Sequence, residues 1–128
     1  MENTAKKRIL IVDDDPLISR MYENRMQLDG HSAEVATNGE EALTAVRKNR
    51  PDLILLDVMM PKMNGVETLK ALKEDTKTKD IPVFILTNLG DKPDDIEKAK
   101  SLGALDYLVK SQISLKELSE KVKKIVGA

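Results

Sequence analysis

Short, almost wholly aliphatic runs alternate along the chain with longer stretches whose apolar positions recur at helical spacing. Runs of the first kind predict strands buried on both faces, and stretches of the second kind predict amphipathic helices laid over them. Five such strand–helix units fit. Residues 8–13 (RILIVD) form the first strand, and a helix over 16–28 follows, opened by Pro16 and stopped at Asp29-Gly30. Residues 32–36 make a weaker second strand, Asn38-Gly39 turns into a helix over 40–48, and Pro51 ends it. The third strand, 53–56, is the most apolar. Asn64 is expected to cap a helix over 65–75. Residues 82–86 form the fourth strand, Pro93-Asp94-Asp95 opens a helix that ends at Leu102-Gly103, and 105–109 is the fifth strand. Ser114 precedes a last helix over 115–126 that puts Leu115, Leu118, Val122, Ile125 and Val126 on one face. Strand regularly followed by helix predicts an α/β protein: a five-stranded parallel sheet between two helical layers, a three-layer α/β/α sandwich.

Composition narrows the function. At 128 residues with 41% hydrophobic content, and with no linker or low-complexity segment, residues 1–128 are expected to be a single domain with no output domain. Twenty-one basic and 22 acidic residues are interspersed to a net charge of −1. So even a balance predicts no direct binding to nucleic acid and none to an anionic membrane. Cysteine is absent, which excludes disulfides and thiol chemistry, and no apolar stretch approaches the roughly 18 to 20 residues needed to span a bilayer. A cytoplasmic location is expected. Met21, Met26, Met60 and Met63 read as gap-filling hydrophobes, and His31 beside Gly30 as an exposed loop residue.

Why, then, does the oiliest strand run into an acid, in LILLDVMMPKMNG? In open sheets of this class the active crevice lies outside the carboxyl ends of the strands. The first strand ends in Asp13-Asp14, the third in Asp57, the fourth in Thr87 and the fifth in Lys110, so their polar groups share one edge. Carboxylates gathered together repel, and a hard divalent cation such as magnesium relieves that repulsion. Such an ion, a lysine and a hydroxyl together neutralise a phosphoryl group, and an aspartate can attack phosphorus to give an acyl phosphate. Asp57 is accordingly the predicted phosphoryl acceptor, with Lys110 and Thr87 beside it. Taken singly, each residue has a plainer reading: Asp13 and Asp14 as a strand-end turn, Lys110 as a solvated lysine, Thr87 as an ordinary strand residue.

The four stretches ILIVDDDP, LILLDVMMPKMNG, FILTN and DYLVK, in that order, resemble a response-regulator receiver domain over essentially the whole chain. The resemblance implies the flavodoxin-like, CheY-like fold with strand order 2-1-3-4-5 and five helices. It implies that Asp13, Asp14 and Asp57 hold Mg2+ together with the backbone carbonyl of Met59. Asp57 would be the phosphorylated aspartate, Lys110 the phosphate-binding lysine, Thr87 the hydroxyl that moves toward the phosphate, and Tyr107 the aromatic switch. The implied phosphodonor is a sensor histidine kinase or histidine phosphotransfer protein. The implied output is a remodelled surface of the fourth helix, fifth strand and fifth helix, read by a downstream protein or output domain. A monomer is expected, with phosphorylation-dependent dimerisation as the variant, and a signalling phosphoacceptor rather than an enzyme. Ser111 stands where the family usually has proline after a cis bond, Asn88 where a smaller residue is common, and the apolar Met59 and Leu89 predict slow loss of the phosphoryl group.

Two rivals come from other classes. One is a receiver-like docking module that is never phosphorylated. The other is a haloacid-dehalogenase-type phosphatase, suggested by Asp13-Asp14-Asp15 and by GDKPDDIEKAKSLGA from Gly90, with Asp13 as nucleophile and Asp15 as proton donor. Leu17 in place of Thr or Val, a helix starting at once at Pro16, and no room for a cap argue against it.

Overall fold

The structure is a computed structural model and describes residues 6–58, 65–87 and 93–127. Strand and helix alternate as β1 (Arg8–Val12), α1 (Pro16–Leu28), β2 (Ser32–Ala36), α2 (Gly39–Lys48), β3 (Leu53–Leu56), α3 (Gly65–Glu74), β4 (Val83–Thr87), α4 (Pro93–Ser101), β5 (Asp106–Val109) and α5 (Leu115–Val126). All strand pairs are parallel, in the order β2-β1-β3-β4-β5. The expected α/β/α sandwich is therefore present. Most ends move by a residue at most: β1 stops before Asp13, α2 starts at Gly39, and β4 runs on to Thr87.

Position in the sheet explains composition. The central strands β3 (LILL) and β4 (VFILT) are buried at every residue, whereas β2 at one edge is only partly covered. Along each strand alternate side chains go to opposite faces. Leu10, Val12, Ile54, Leu56, Val83 and Ile85 pack against Ala42 and Val46 of α2, Leu69 and Leu72 of α3, and Ala99 of α4. Their neighbours Ile9, Ile11, Leu53, Leu55, Phe84 and Leu86 pack against Tyr22 and Met26 of α1 and Leu118, Val122 and Val126 of α5.

Local chemistry sets the helix ends. Asp15 caps α1 by accepting from the backbone N–H groups of Leu17 at 2.9 Å and Ile18 at 3.2 Å. Asn38 caps α2 through the N–H of Glu41, and Ser114 with Glu117 forms a reciprocal capping box on α5. The expected cap Asn64 lies outside the described residues.

Three expectations need correction. His31 is buried, with 2% of its surface exposed. Gly30 takes a φ of +93°, which turns the chain back so that the His31 N–H donates to the Met26 carbonyl and the ring is drawn inside. Both ring nitrogens lack a hydrogen-bond partner among the described residues, and burial lowers the imidazole pKa. Ile125 is 38% exposed, because the buried stripe of α5 is made by Leu118, Ser119, Val122 and Val126 and leaves Ile125 at its margin. Met21 is also exposed, while Met26 fills the core as expected; Met60 and Met63 lie outside the described residues.

Candidate functional site at the carboxyl edge of the sheet

Register brings the candidate residues together. Val12 pairs with Leu56, so Asp13 and Asp57 leave adjacent strands side by side, and the Asp57 N–H donates to the Val12 carbonyl at 2.9 Å. Thr87 pairs with Val109, and the N–H of the next residue, Lys110, donates to the Thr87 carbonyl at 2.8 Å. Four strands thus deliver two acids, a hydroxyl and an ammonium to one spot. Asp14 follows on the exposed side.

The Lys110 Nζ reaches across the sheet and donates to Asp13 Oδ2 and, at 3.1 Å, to Asp57 Oδ2. Asp13 and Asp57 are both buried, 3% and 7% exposed, and the second oxygen of Asp13 accepts the N–H of Asp15 at 2.9 Å. Burial raises the pKa of Asp13, against the opposing pull of Lys110, and the nearby Asp57 charge adds to the rise. Burial alone would lower the pKa of Lys110, but its hydrogen bond to Asp13 and the charges of both acids outweigh that, and its pKa rises. Two buried carboxylates thus share a single ammonium, with the Asp14 carboxylate close by.

One oxygen each from Asp13, Asp14 and Asp57 lies within 4.8 Å of the other two. An all-oxygen donor set with one exposed member suits a hard divalent cation that keeps part of its water shell, and magnesium fits that description. Among the described residues no other group of acids, histidines or cysteines clusters in this way.

Thr87 is fully buried at the end of β4. Tyr107 is half-buried and packs on the face covered by α2, α3 and α4, beside Ile85. Met59, Asn88 and Leu89 lie outside the described residues. No cis peptide occurs among the described residues, so the Lys110-Ser111 bond is trans, and Lys110 nonetheless reaches both acids. Asp15, the proton donor of the phosphatase reading, has one carboxylate oxygen committed to the start of α1. Residues 90–92 of the loop invoked for that reading lie outside the described residues.

Two contributors escaped the sequence reading. Tyr22 is buried on α1 within the electrostatic field of Lys110, Asp13 and Asp57, and burial raises its pKa. Gly65, at the start of α3, lies so close to Asp57 that a Cβ there would fall 2.4 Å from the Asp57 carbonyl oxygen. Nothing in the sequence alone marks Tyr22 as facing the acids, and Gly65 stands there as the first residue of a helix. Only its place after an acid-tipped strand hinted at a tight approach.

The family model described as response regulator receiver domain matches residues 9–123. A probable transcriptional regulator ycf27 from Pyropia yezoensis is 41% identical over 126 residues, covering 98% of this chain and 49% of that protein. The DNA-binding response regulator MtrA of Mycolicibacterium smegmatis is 41% identical over 108 residues, 84% of this chain and 46% of that protein. The chain thus spans about half the length of the curated relatives it matches. Among solved structures, the chemotaxis protein CheY4 of Vibrio cholerae superposes with a TM-score of 0.87 at 33% identity, covering 94% of this chain and 99% of that one. These relatives are regulators rather than classical enzymes.

One expectation is overturned by them. The balanced charge predicted no nucleic-acid partner, yet relatives at this similarity include a protein named as DNA-binding. A charge balance speaks only for the residues counted, and fewer than half of that relative's residues are matched here. No helix among the described residues is long and apolar enough to cross a membrane. With its strand order, its acid-tipped strands and a match over residues 9–123, the chain belongs to the response regulator receiver domain family of two-component signalling.

Proposed function

We propose that this chain is a phosphoacceptor that takes a phosphoryl group on Asp57 from a histidine kinase or histidine phosphotransfer protein and converts it into a change of binding surface. In the transfer, a carboxylate oxygen of Asp57 forms the new bond to phosphorus while the phosphorus–nitrogen bond of the donor phosphohistidine breaks. The donor imidazole keeps that electron pair, and the product is an acyl phosphate on Asp57. Asp13, Asp14 and Asp57, with the Met59 carbonyl, would hold Mg2+, which when bound neutralises charge on the phosphoryl oxygens. Lys110 pairs with another phosphoryl oxygen, giving up part of its present contact with Asp57. Thr87 donates its hydroxyl to the group, and the space it vacates is taken by Tyr107, which reshapes the surface of α4, β5 and α5.

The observation that carries this reading is the Lys110 ammonium lying against both buried acids at the ends of three different strands. Leu17, 81% exposed, and Met21, 42% exposed, give α1 an apolar face next to the acids, and with Arg20 and Asn24 we assign it to the phosphodonor. The relatives' names extend the proposal: in a longer protein of their kind, the surface change would govern a DNA-binding output in transcription. A cytoplasmic location belongs to the same reading.

The test is intact-protein mass after incubation with acetyl phosphate or phosphoramidate, with and without magnesium. A magnesium-dependent gain of one phosphoryl mass, lost in Asp57→Asn, is expected. No adduct together with weak magnesium binding would favour the unphosphorylated docking module instead. An adduct that survives Asp57→Asn but needs Asp13 would restore the phosphatase.

A further inference from the structure

The carboxyl edge of the sheet does not hold the molecule's only shaped surface. At the opposite edge, where the chain enters β3 and β4, a cavity of about 450 Å³ is lined by Val46 and Arg47 of α2, Arg50 of the α2–β3 connection, and Asp75, Lys77 and Thr78 of the α3–β4 connection. That volume is in the range of small-ligand sites. Its two walls are tied together by Arg50, whose Nη1 donates to the Lys77 carbonyl at 2.5 Å.

The polar groups here divide into those already used and those not. Asp75 Oδ1 accepts the backbone N–H of Lys77 at 2.9 Å, and the Thr78 hydroxyl donates to the Leu72 carbonyl at 2.6 Å, so acid and hydroxyl are occupied in shaping the loop. The Arg47 guanidinium and the Lys77 ammonium have no hydrogen bond or ion pair among the described residues, and Arg50 keeps further N–H donors beyond its one bond. Three basic residues thus line a cleft that contains one carboxylate, Asp75, whose Oδ1 is already engaged, in a chain whose overall charge is −1. Two arginines and a lysine lining a small cleft beside Val46 offer the residue types that recognise a phosphoryl group attached to a compact body.

We propose that this pocket binds a small phosphate compound, a phosphate monoester or a polyphosphate, independently of the carboxylate site. It lies at the amino ends of β3 and β4, so a ligand there is separated from Asp57 by the length of β3.

The test is a backbone-amide NMR titration of the whole chain in magnesium-free buffer, with pyrophosphate in one arm, AMP in a second and a short DNA duplex in a third, all at constant ionic strength. Saturable shifts confined to residues 46–50 and 75–78 are expected in the first two arms. An Arg47→Ala, Lys77→Ala double variant should weaken them by at least about tenfold. That variant spares Arg50 and the Lys77 carbonyl, so the bond that ties the walls survives, and an unchanged urea midpoint confirms the fold. A pyrophosphate response against a flat AMP arm assigns the polyphosphate, and an AMP response assigns the ester. The proposal falls if neither shift saturates by about 10 mM. It also falls if the double variant responds like the parent, if the shifts gather at Asp13, Asp57 and Lys110, or if only the duplex binds.

Discussion

Gly65 shows how a residue without a side chain can set the geometry of a reactive one. A Cβ at this position would lie 2.4 Å from both the Asp57 carbonyl oxygen and the Val58 Cα, distances that no packing tolerates. Gly65→Ala therefore has to push back either the start of α3 or the backbone of Asp57. A loss of about 1–3 kcal/mol in a urea melt is expected, as for other overpacked sites. Phosphoryl uptake should fall with it, read as adduct mass under conditions where the variant is fully folded. His31 makes a different prediction. Its ring is buried, unpartnered among the described residues, and its pKa is depressed below the ordinary 6.5 by burial. The folded state refuses a proton that the unfolded chain accepts, so stability is level above about pH 6.5 and falls as the pH drops from there toward the folded pKa. This is the chain's single histidine, so urea midpoints taken between pH 7.5 and 5 should lose most of their slope in the upper part of that window in His31→Leu. An unaltered slope would show that the ring is not the group responsible.

What the sequence made legible, and what it hid, divides along the helices and strands. Strand cores and helix lengths were readable because β3 and β4 are aliphatic throughout and because capping residues such as Asp15, Asn38 and Ser114 carry their function locally. The clustered acids, Thr87 and Lys110 were readable for a related reason: a polar residue at the tip of an apolar strand has only one edge to occupy. Tyr22 and Ile125 were not, since whether a helical position faces the core, the acids or solvent depends on how α1 and α5 dock, and His31 was hidden because its burial follows from the backward turn at Gly30. That docking has its own polar tie. The Ser119 hydroxyl of α5 donates to Asp29 Oδ2 at 2.5 Å just past the end of α1, and Arg25 bonds the same carboxylate at 3.3 Å. Burial works to raise the pKa of Asp29, but the hydrogen bonds from Ser119 and Arg25 win and hold it below the usual carboxylate value. Ser119→Ala should cost about 1–2 kcal/mol in unfolding, since a mostly buried carboxylate loses a donor. Phosphoryl uptake at Asp57 should be unchanged, because the tie lies at the far end of α1 from the acids.

A sheet that sends three carboxylates and one ammonium to a single edge stores repulsion there, and the fold tolerates it only because β1, β3 and β5 are held in register by ladders that do not depend on the site. A divalent cation that binds this edge has no counterpart in the unfolded chain, where Asp13 and Asp57 are 44 residues of sequence apart. Its binding free energy therefore adds to folding stability as RT ln(1 + [L]/Kd), about 2.7 kcal/mol at a hundredfold excess over Kd. Magnesium should raise the urea midpoint of the chain in a saturable way, and sodium chloride at matched ionic strength should not. The rise should disappear in Asp57→Asn and in Asp13→Asn, and persist in the Arg47→Ala, Lys77→Ala variant, whose altered charges sit at the other edge of the sheet. A midpoint that ignores magnesium would mean that Lys110 alone neutralises the acids, and the chemistry assigned to Asp57 would then have lost its metal. A rise that persists in both aspartate variants would place the ion elsewhere on the surface.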